Sequence, residues 1–150
     1  MEVFKITKAA FSNELIASGR AHRWNIDDQF AIYTGSSRSL SSLELIVNEN
    51  SISPAFKYKV MIISIADEES LFTHILQSEL PHSWRTMASY PKLQQIGSEW
   101  YMSKKSLILK VPSAVIPKEY NYVINAFHPD FKDKVSLVRT EDYFWDDRLL

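Results

Sequence analysis

A chain of 150 residues, with 45% hydrophobic and 23% charged residues, has the size and composition of one globular domain over residues 1–150. Its formal net charge of −1 at pH 7 argues against direct binding to nucleic acid, which usually requires a basic surface. No cysteine is present, which excludes disulfides, thiolate zinc sites and thiol nucleophiles, and the apolar runs are far shorter than the roughly 20 residues that cross a bilayer. We therefore expect a cytoplasmic protein that does not enter a membrane.

The hydrophobic pattern predicts more strands than helices. Strands are expected at residues 3–6, 30–34, 57–65, 106–112, 122–125 and 134–138. Helices are expected at residues 12–18, 40–47 and 91–104, with Gly19 ending the first of them. Residues 68–76 are predicted to form a short helix or a loop, and residues 81–84 an irregular segment. Because helices do not alternate with the strands, the pattern favours an α+β fold with a mixed sheet over a doubly wound parallel sheet.

Several common catalytic signatures are missing from the sequence. Three glycines cannot build a glycine-rich phosphate loop, and no G-x-S-x-G elbow is present. The four histidines do not have metal-ligand spacing, so no metal site is predicted. Rossmann enzymes, P-loop enzymes, serine hydrolases and zinc hydrolases are therefore poorly supported.

The second predicted helix carries a charged residue within its apolar face. The turn before it offers three serines as the N-cap: Ser36, Ser37 and Ser39. The helical period places Glu44 on the same face as Leu40, Leu43 and Val47. An unpaired buried carboxylate is costly, so such a residue usually has a partner or a function. A solvated or salt-bridged glutamate on a slightly rotated helix is the alternative.

Three further polar residues stand at positions where they could bind a ligand. Arg23 could form a two-pronged contact with phosphate or carboxylate, and it could equally be an ordinary surface residue. Tyr33 lies on a predicted strand, where packing is the commoner role of an aromatic side chain and stacking on a substrate is the alternative. Ser113 is a hydroxyl at an apolar strand end, where bonding to local backbone competes with a functional role.

Taken in chain order, these residues and their neighbours resemble the RES-domain family, whose name records an arginine, a glutamate and a serine. The resemblance covers about residues 17–150, and two positions depart from the usual pattern: His22, where glycine is common, and Ala126, where proline is common. The segments that carry it follow the family's order: Gly19 with Arg23-Trp24-Asn25, Ile32-Tyr33-Thr34, Leu43-Glu44, Leu80-Pro81-His82-Ser83-Trp84, Gly97-Ser98-Glu99-Trp100, Val111-Pro112-Ser113-Ala114-Val115, Glu119-Tyr120-Asn121-Tyr122, the segment 125–131, and Phe144 with Asp147-Arg148-Leu149.

The resemblance implies a single RES domain with a split mixed β-sheet and short helices, similar to ADP-ribosyltransferases and holding NAD in a central cleft. It implies an enzyme, the toxin of a bacterial toxin–antitoxin pair, that arrests growth by cleaving the nicotinamide–ribose bond of NAD through hydrolysis or phosphorolysis. Two other hypotheses stay open, namely transfer of ADP-ribose to a protein and a non-catalytic binding domain that keeps the fold. The sequence does not distinguish water, phosphate and protein as acceptors.

The resemblance and the chemistry of NAD cleavage together assign roles to five residues. Glu44 would stabilise the positive charge that develops on the ribose, and Arg23 would hold the pyrophosphate or an accepting anion. Tyr33 would stack on or hydrogen-bond the nicotinamide ribose, Ser113 would position the nicotinamide end, and Asn125 is a further candidate for the cleft. NAD is the substrate, so neither a cofactor beyond it nor a metal is expected.

A restraining partner is also expected, because an enzyme that drains NAD would harm its own host. The resemblance implies an Xre-like antitoxin with a helix-turn-helix. The near-neutral charge of this chain suits a complex in which the antitoxin contacts DNA. We expect the antitoxin to cover the NAD cleft, and the sequence leaves open whether the toxin forms a homodimer in the complex.

Overall fold

The computed structural model describes residues 1–49 and 52–150, and within them an α+β fold with one mixed sheet is seen. The strands are β1 (Glu2–Lys8), β2 (Ala31–Gly35), β3 (Tyr58–Ile65), β4 (Phe72–His74), β5 (Ile108–Pro112), β6 (Tyr120–Asn125) and β7 (Val135–Tyr143). The helices are α1 (Arg38–Glu49), α2 (Tyr90–Ser103) and α3 (Phe131–Lys134). In this described part of the chain, no helix has the length and hydrophobicity needed to cross a membrane.

The sheet is nearly divided into two parts. Its strand order is β4-β5-β6-β2-β1-β3-β7, with β4 and β5 parallel and the other neighbours antiparallel. In the described residues, β1 and β2 pair through Phe4 and Gly35 alone, whereas β1 pairs with β3 along its whole length. The expected α+β fold with a split mixed sheet is confirmed.

Alternation along the strands separates the core into two faces. On one face, Met61, Ile108 and Ile124 belong to the largest cluster of buried hydrophobic residues. On the other face, Val60 and Ile62 form a cluster against which Leu45 of α1 packs. Farther along that second face, β5 and β6 pack with residues of α2, among them Leu93, Trp100 and Tyr101. The split in the sheet therefore lies between a part covered by α1 and a part covered by α2.

Most predicted elements are present at close to their expected positions. Ser37 is the N-cap of α1, because its hydroxyl accepts a hydrogen bond from the backbone N–H of Leu40 at 3.1 Å. Helix α2 begins with Pro91 in its first turn, where the missing N–H costs nothing. Strand β7 extends to Tyr143, well past its predicted end, because its charged residues lie on a strand at the edge of the sheet, where ion pairs such as Arg38–Glu141 satisfy them.

The helix predicted at residues 12–18 is wrong. A single 3-10 turn, Ala9–Phe11, ends where the Ser12 hydroxyl donates to the carbonyl of Ala9 at 2.7 Å. The following residues alternate between partly buried and exposed, and Leu15 and Ala17 pack against the large core cluster. A two-residue period is that of an extended chain, so tertiary packing overrides the weak helical pattern here.

Candidate functional site

Three side chains meet at the edge of the split, beside α1. The Ser113 hydroxyl donates to Oε1 of Glu44 at 2.7 Å, and Nδ2 of Asn121 donates to the same oxygen at 2.6 Å. Ser113 follows β5 directly, and Asn121 lies on β6 opposite Val111 of β5. Two paired strands thus deliver two donors to one carboxylate oxygen on a helix.

The two carboxylate oxygens of Glu44 have different surroundings: Oε1 accepts hydrogen bonds from the protein and Oε2 does not accept any from the described residues. It is partly buried, while Leu43 and Val47 are 39% and 59% exposed, so the predicted apolar face of α1 points largely to solvent. The expected buried apolar face holds only at Leu40, because the helix is rotated so that Ser41 and Ser42 are buried in place of Leu43 and Val47. The Oε2 atom accepts no hydrogen bond from the described residues and is not among the occluded atoms, so it faces solvent.

The hydroxyl of Ser113 is fully used by the protein. Besides donating to Glu44, it accepts from the backbone N–H groups of Val115 and Ile116 at 3.0 and 3.1 Å. A hydroxyl has one donor and two acceptor positions, so none remains for a ligand. The geometry therefore ties Ser113 to the orientation of Glu44 instead of to direct contact with a nicotinamide group.

Arg23 is anchored through one end of its guanidinium group. Nη1 donates to the carbonyl oxygens of Trp84 and Arg85 at 3.1 and 3.2 Å, and the group lies over the ring of Tyr90, 4.8 Å from its centroid. Nε and Nη2 form no hydrogen bond with the described residues. A planar fork that is braced in this way keeps two N–H directions available for an anion.

Tyr33 holds the segment that carries Arg23. Its hydroxyl donates to Oδ1 of Asn25 at 2.6 Å and accepts from the backbone N–H of Trp24 at 3.0 Å. Burial is the main cause that raises the pKa of Tyr33 far above its ordinary value. The hydroxyl is committed to this segment, and the ring makes an edge contact with His22 at 5.3 Å between centroids.

The Arg23 and Glu44 regions are joined by one short turn. The carbonyl oxygens of Trp84 and Arg85 accept from Arg23, while Nε of Arg85 donates to the carbonyl of Ala114 at 2.8 Å. Ala114 directly follows Ser113, the partner of Glu44. Four of the five residues singled out in the sequence, Arg23, Tyr33, Glu44 and Ser113, are therefore linked through β2, α1, the end of β5 and the loop at residues 81–85.

The electrostatic surroundings of Arg23 are positive. Burial, followed by the charges of Lys5 and Arg20, lowers the pKa of His22, the residue directly before Arg23. Burial also lowers the pKa of Lys5, which lies on β1 just past the single β1–β2 pair. Several cationic groups at one side of the split favour an anionic ligand there.

Asn125 is separated from this group of residues. It ends β6, four residues along the strand from Asn121, and its side chain is completely buried. Nδ2 donates to the carbonyl of Tyr101 at 3.3 Å, and Oδ1 accepts from the backbone N–H of Phe127 at 2.9 Å. The expected place of Asn125 in the cleft is therefore corrected: its amide groups bind the backbone of the protein interior.

Sequence reasoning did not single out Asn121 or Asn25, although both were within the segments that carry the resemblance. Asn121 shares a face of β6 with Val123 and Asn125, which gives no local sign that it meets a carboxylate from α1. Asn25 supports the Arg23 segment by donating to three backbone carbonyls, those of Arg20, Ile26 and Gln29. The only signal for either residue was its place within a segment that resembles the family.

Comparison with known proteins places the chain in a family. The family model of the RES domain matches residues 2–146. The Toxin Res of Yersinia enterocolitica is 33% identical over 127 residues, covering 85% of this chain and 82% of that protein. The Prs ADP-ribosylating toxin of Sphingobium is 30% identical over 129 residues, covering 85% of this chain and 80% of that protein. The chain belongs to the RES-domain family, and these relatives are toxins.

A solved structure has the same fold. The chain is similar to a chain in the crystal structure of the MbcT-MbcA toxin–antitoxin complex of M. tuberculosis, with a TM-score of 0.73. The similarity covers 95% of this chain and 83% of that chain at 17% sequence identity. The match confirms the fold across nearly the whole length.

Proposed function

We propose that this chain is the toxin of a toxin–antitoxin pair and that it cleaves the nicotinamide–ribose bond of NAD. The observation that carries the proposal is the Glu44 carboxylate, with Oε1 fixed by Ser113 and Asn121 and Oε2 open to solvent. Such a carboxylate can accept a hydrogen bond from a ribose hydroxyl and face the charge that builds on the ring. Family membership and the toxins among the relatives support the same activity.

The reaction needs charge stabilisation more than proton transfer. The bond between ribose C1′ and the pyridinium nitrogen breaks, the nitrogen keeps the electron pair, and nicotinamide leaves as a neutral molecule. The ribose passes through an oxocarbenium-like state, which the negative charge of Glu44 stabilises more than it stabilises the bound substrate. An oxygen of water or phosphate then bonds to C1′, and a proton goes to solvent.

Arg23 supplies the second part of the site in this proposal. Its anchored guanidinium offers Nε and Nη2 to the pyrophosphate of NAD or to an accepting phosphate. Lys5 and Arg20, whose charges act on the neighbouring His22, add positive potential on the same side. Tyr33 contributes by fixing the Arg23 segment through its hydroxyl.

Transfer of ADP-ribose to a protein is the second candidate, because one relative is named an ADP-ribosylating toxin. The same bond of NAD breaks in both reactions, and only the acceptor differs. Hydrolysis releases free ADP-ribose, phosphorolysis releases its phosphorylated form, and transfer leaves ADP-ribose on a protein.

The test is to mix the purified, antitoxin-free protein with NAD and to follow nicotinamide and the ADP-ribose products by mass spectrometry. Parallel reactions contain buffer alone, inorganic phosphate, or cell lysate from which NAD has been removed. We expect nicotinamide release in at least one of these reactions. If a protein with a cooperative thermal transition leaves NAD intact for hours at micromolar concentration, the proposal is refuted.

The partner in this proposal is an Xre-like helix-turn-helix antitoxin that covers the cleft. The similarity to a chain of a toxin–antitoxin complex supports such a partner, and the exposed Leu43 and Val47 beside Glu44 offer it an apolar contact. Co-expression with the product of the adjacent reading frame tests the idea. We expect growth arrest by the toxin alone and a purified complex that cleaves NAD much more slowly than the free protein.

A further inference from the structure

We infer that Asn121 is a positioning residue that holds the Glu44 carboxylate in the orientation needed for cleavage. The inference rests on the proposed function, since it gives a role to the amide that contacts Glu44 in that site. The orientation of the Asn121 amide is fixed by chemistry: an ionised carboxylate can only accept hydrogen bonds, so the NH₂ group faces Oε1 of Glu44, at 2.6 Å.

This orientation of the Asn121 amide leaves its other polar atom without a partner among the described residues, which destabilises the folded state. With NH₂ turned to Glu44, the carbonyl oxygen Oδ1 of Asn121 is buried and receives no hydrogen bond from any residue that the structure describes. A buried acceptor without a donor destabilises the folded state, and such exceptions usually have a functional explanation. Oδ1 is also inaccessible to solvent, so it does not bind a ligand directly.

The backbone around Asn121 brings α1 within reach. Gly35 of β2 lies opposite Asn121, and a Cβ at Gly35 would come within 2.7 Å of the Ser41 hydroxyl. The glycine therefore lets α1 approach β2 closely. Glu44 stands three residues after Ser41, so it projects from the same side of the helix toward β6. This close approach makes the Asn121–Glu44 contact possible.

The side chain of Asn121 acts separately from the pairing of its strand. Its backbone pairs with Gly35 on one side and Val111 on the other, so β6 does not need the amide to form. The amide and the Ser113 hydroxyl together fix Oε1 from two directions, which restricts rotation of the carboxylate and so the position of Oε2. With Ser113 alone, the carboxylate can rotate about that single hydrogen bond.

The first test is Asn121→Ala, measured by the steady-state kinetics of nicotinamide release. A misplaced catalytic group costs on the order of 10²-fold in rate, so we expect kcat to fall by about 10- to 100-fold while KM for NAD stays within about threefold. An unchanged kcat overturns the inference. So does a loss of kcat/KM that comes entirely from a higher KM, because the amide then affects substrate binding and not the orientation of Glu44. Thermal melting confirms that the variant is folded.

The second test is Asn121→Asp, which keeps the shape and places a second carboxylate against Glu44. Two carboxylates in contact do not both ionise at their ordinary pKa values, so the pair holds a proton to higher pH. We expect the acid limb of the pH–rate profile to move upward by more than one unit. The control is Asn13→Asp, which adds the same charge at an exposed position outside α1.

The outcomes separate this inference from the proposed function. A wild-type protein that does not cleave NAD refutes the proposed function and the inference with it. An active wild type with an unshifted profile in folded Asn121→Asp, or with the same shift in Asn13→Asp, overturns the inference and leaves the function intact. If Asn121→Asp does not fold, the kinetics of Asn121→Ala decide.

Discussion

The replacement of Glu44 by glutamine isolates the charge of one side chain. The carbonyl oxygen of the new amide can accept both hydrogen bonds now made to Oε1, from Ser113 at 2.7 Å and Asn121 at 2.6 Å. The NH₂ group then occupies the position of Oε2, which faces solvent and has no protein donor to repel. Glu44→Gln therefore preserves shape and contacts and removes only the negative charge.

The structure allows an estimate of two effects of Glu44→Gln, the loss of stability and the loss of turnover. Hydrogen bonds to a charged group are stronger than neutral ones by about 1 kcal/mol each, so the two bonds set an upper limit of about 2 kcal/mol on the loss of stability. For a domain of this length, that limit corresponds to a Tm decrease of roughly 4–8 °C. Turnover should fall by about 10²-fold or more, as when one group that stabilises transition-state charge is removed.

The assay compares nicotinamide release at saturating NAD with NAD binding by calorimetry, in wild type and in two variants. Glu99→Gln, at an exposed position on α2, is the matched control and should keep full turnover. We expect Glu44→Gln to bind NAD within about threefold of wild type. Full turnover would return Glu44 to an ordinary solvated helix position, and a loss of NAD binding equal to the loss of turnover would show that Glu44 binds the substrate without selecting the transition state.

Three further variants test other parts of the site. Arg23→Lys should weaken binding of NAD or phosphate by about tenfold or more, because lysine cannot bond both carbonyls and still present a fork. The control Arg20→Lys should leave that binding unchanged. Equal affinity of Arg23→Lys and wild type in calorimetry would contradict the anchoring role. Tyr33 keeps its proton in the folded state at a pH where the unfolded chain loses it, because burial raises its pKa. Above pH 10, the free energy of unfolding measured in urea should therefore fall more steeply in wild type than in Tyr33→Phe, by up to about 1.4 kcal/mol per pH unit. Parallel curves of unfolding free energy against pH for the two proteins would refute this. Gly97→Ala would place a Cβ 1.7 Å from the backbone oxygen of Trp24, so urea unfolding should show a loss of about 3 kcal/mol, against little change for exposed Gln95→Ala.

The sequence determined the elements whose patterns are local. The strands at residues 30–34 and 57–65, the helix at 91–104 and the Ser37 cap follow from side-chain period, β-branched content and capping chemistry, which act over a few neighbouring residues. The helix predicted at residues 12–18 failed, since the packing of Leu15 and Ala17 against distant core residues decided its conformation. A pattern of only seven residues carries too little local free energy to resist such packing.

The sequence also singled out Arg23, Tyr33, Glu44 and Ser113, because each is polar at a place where polarity needs a reason, and because together they match a family. Only the tertiary structure decided how they are connected. Ser113 and Asn121 reach one oxygen of Glu44 from 69 and 77 residues away, and the Tyr33 hydroxyl turns to the backbone next to Arg23. Those contacts depend on strand register and on the rotation of α1, which are set by the packing of the whole sheet and not by any local period.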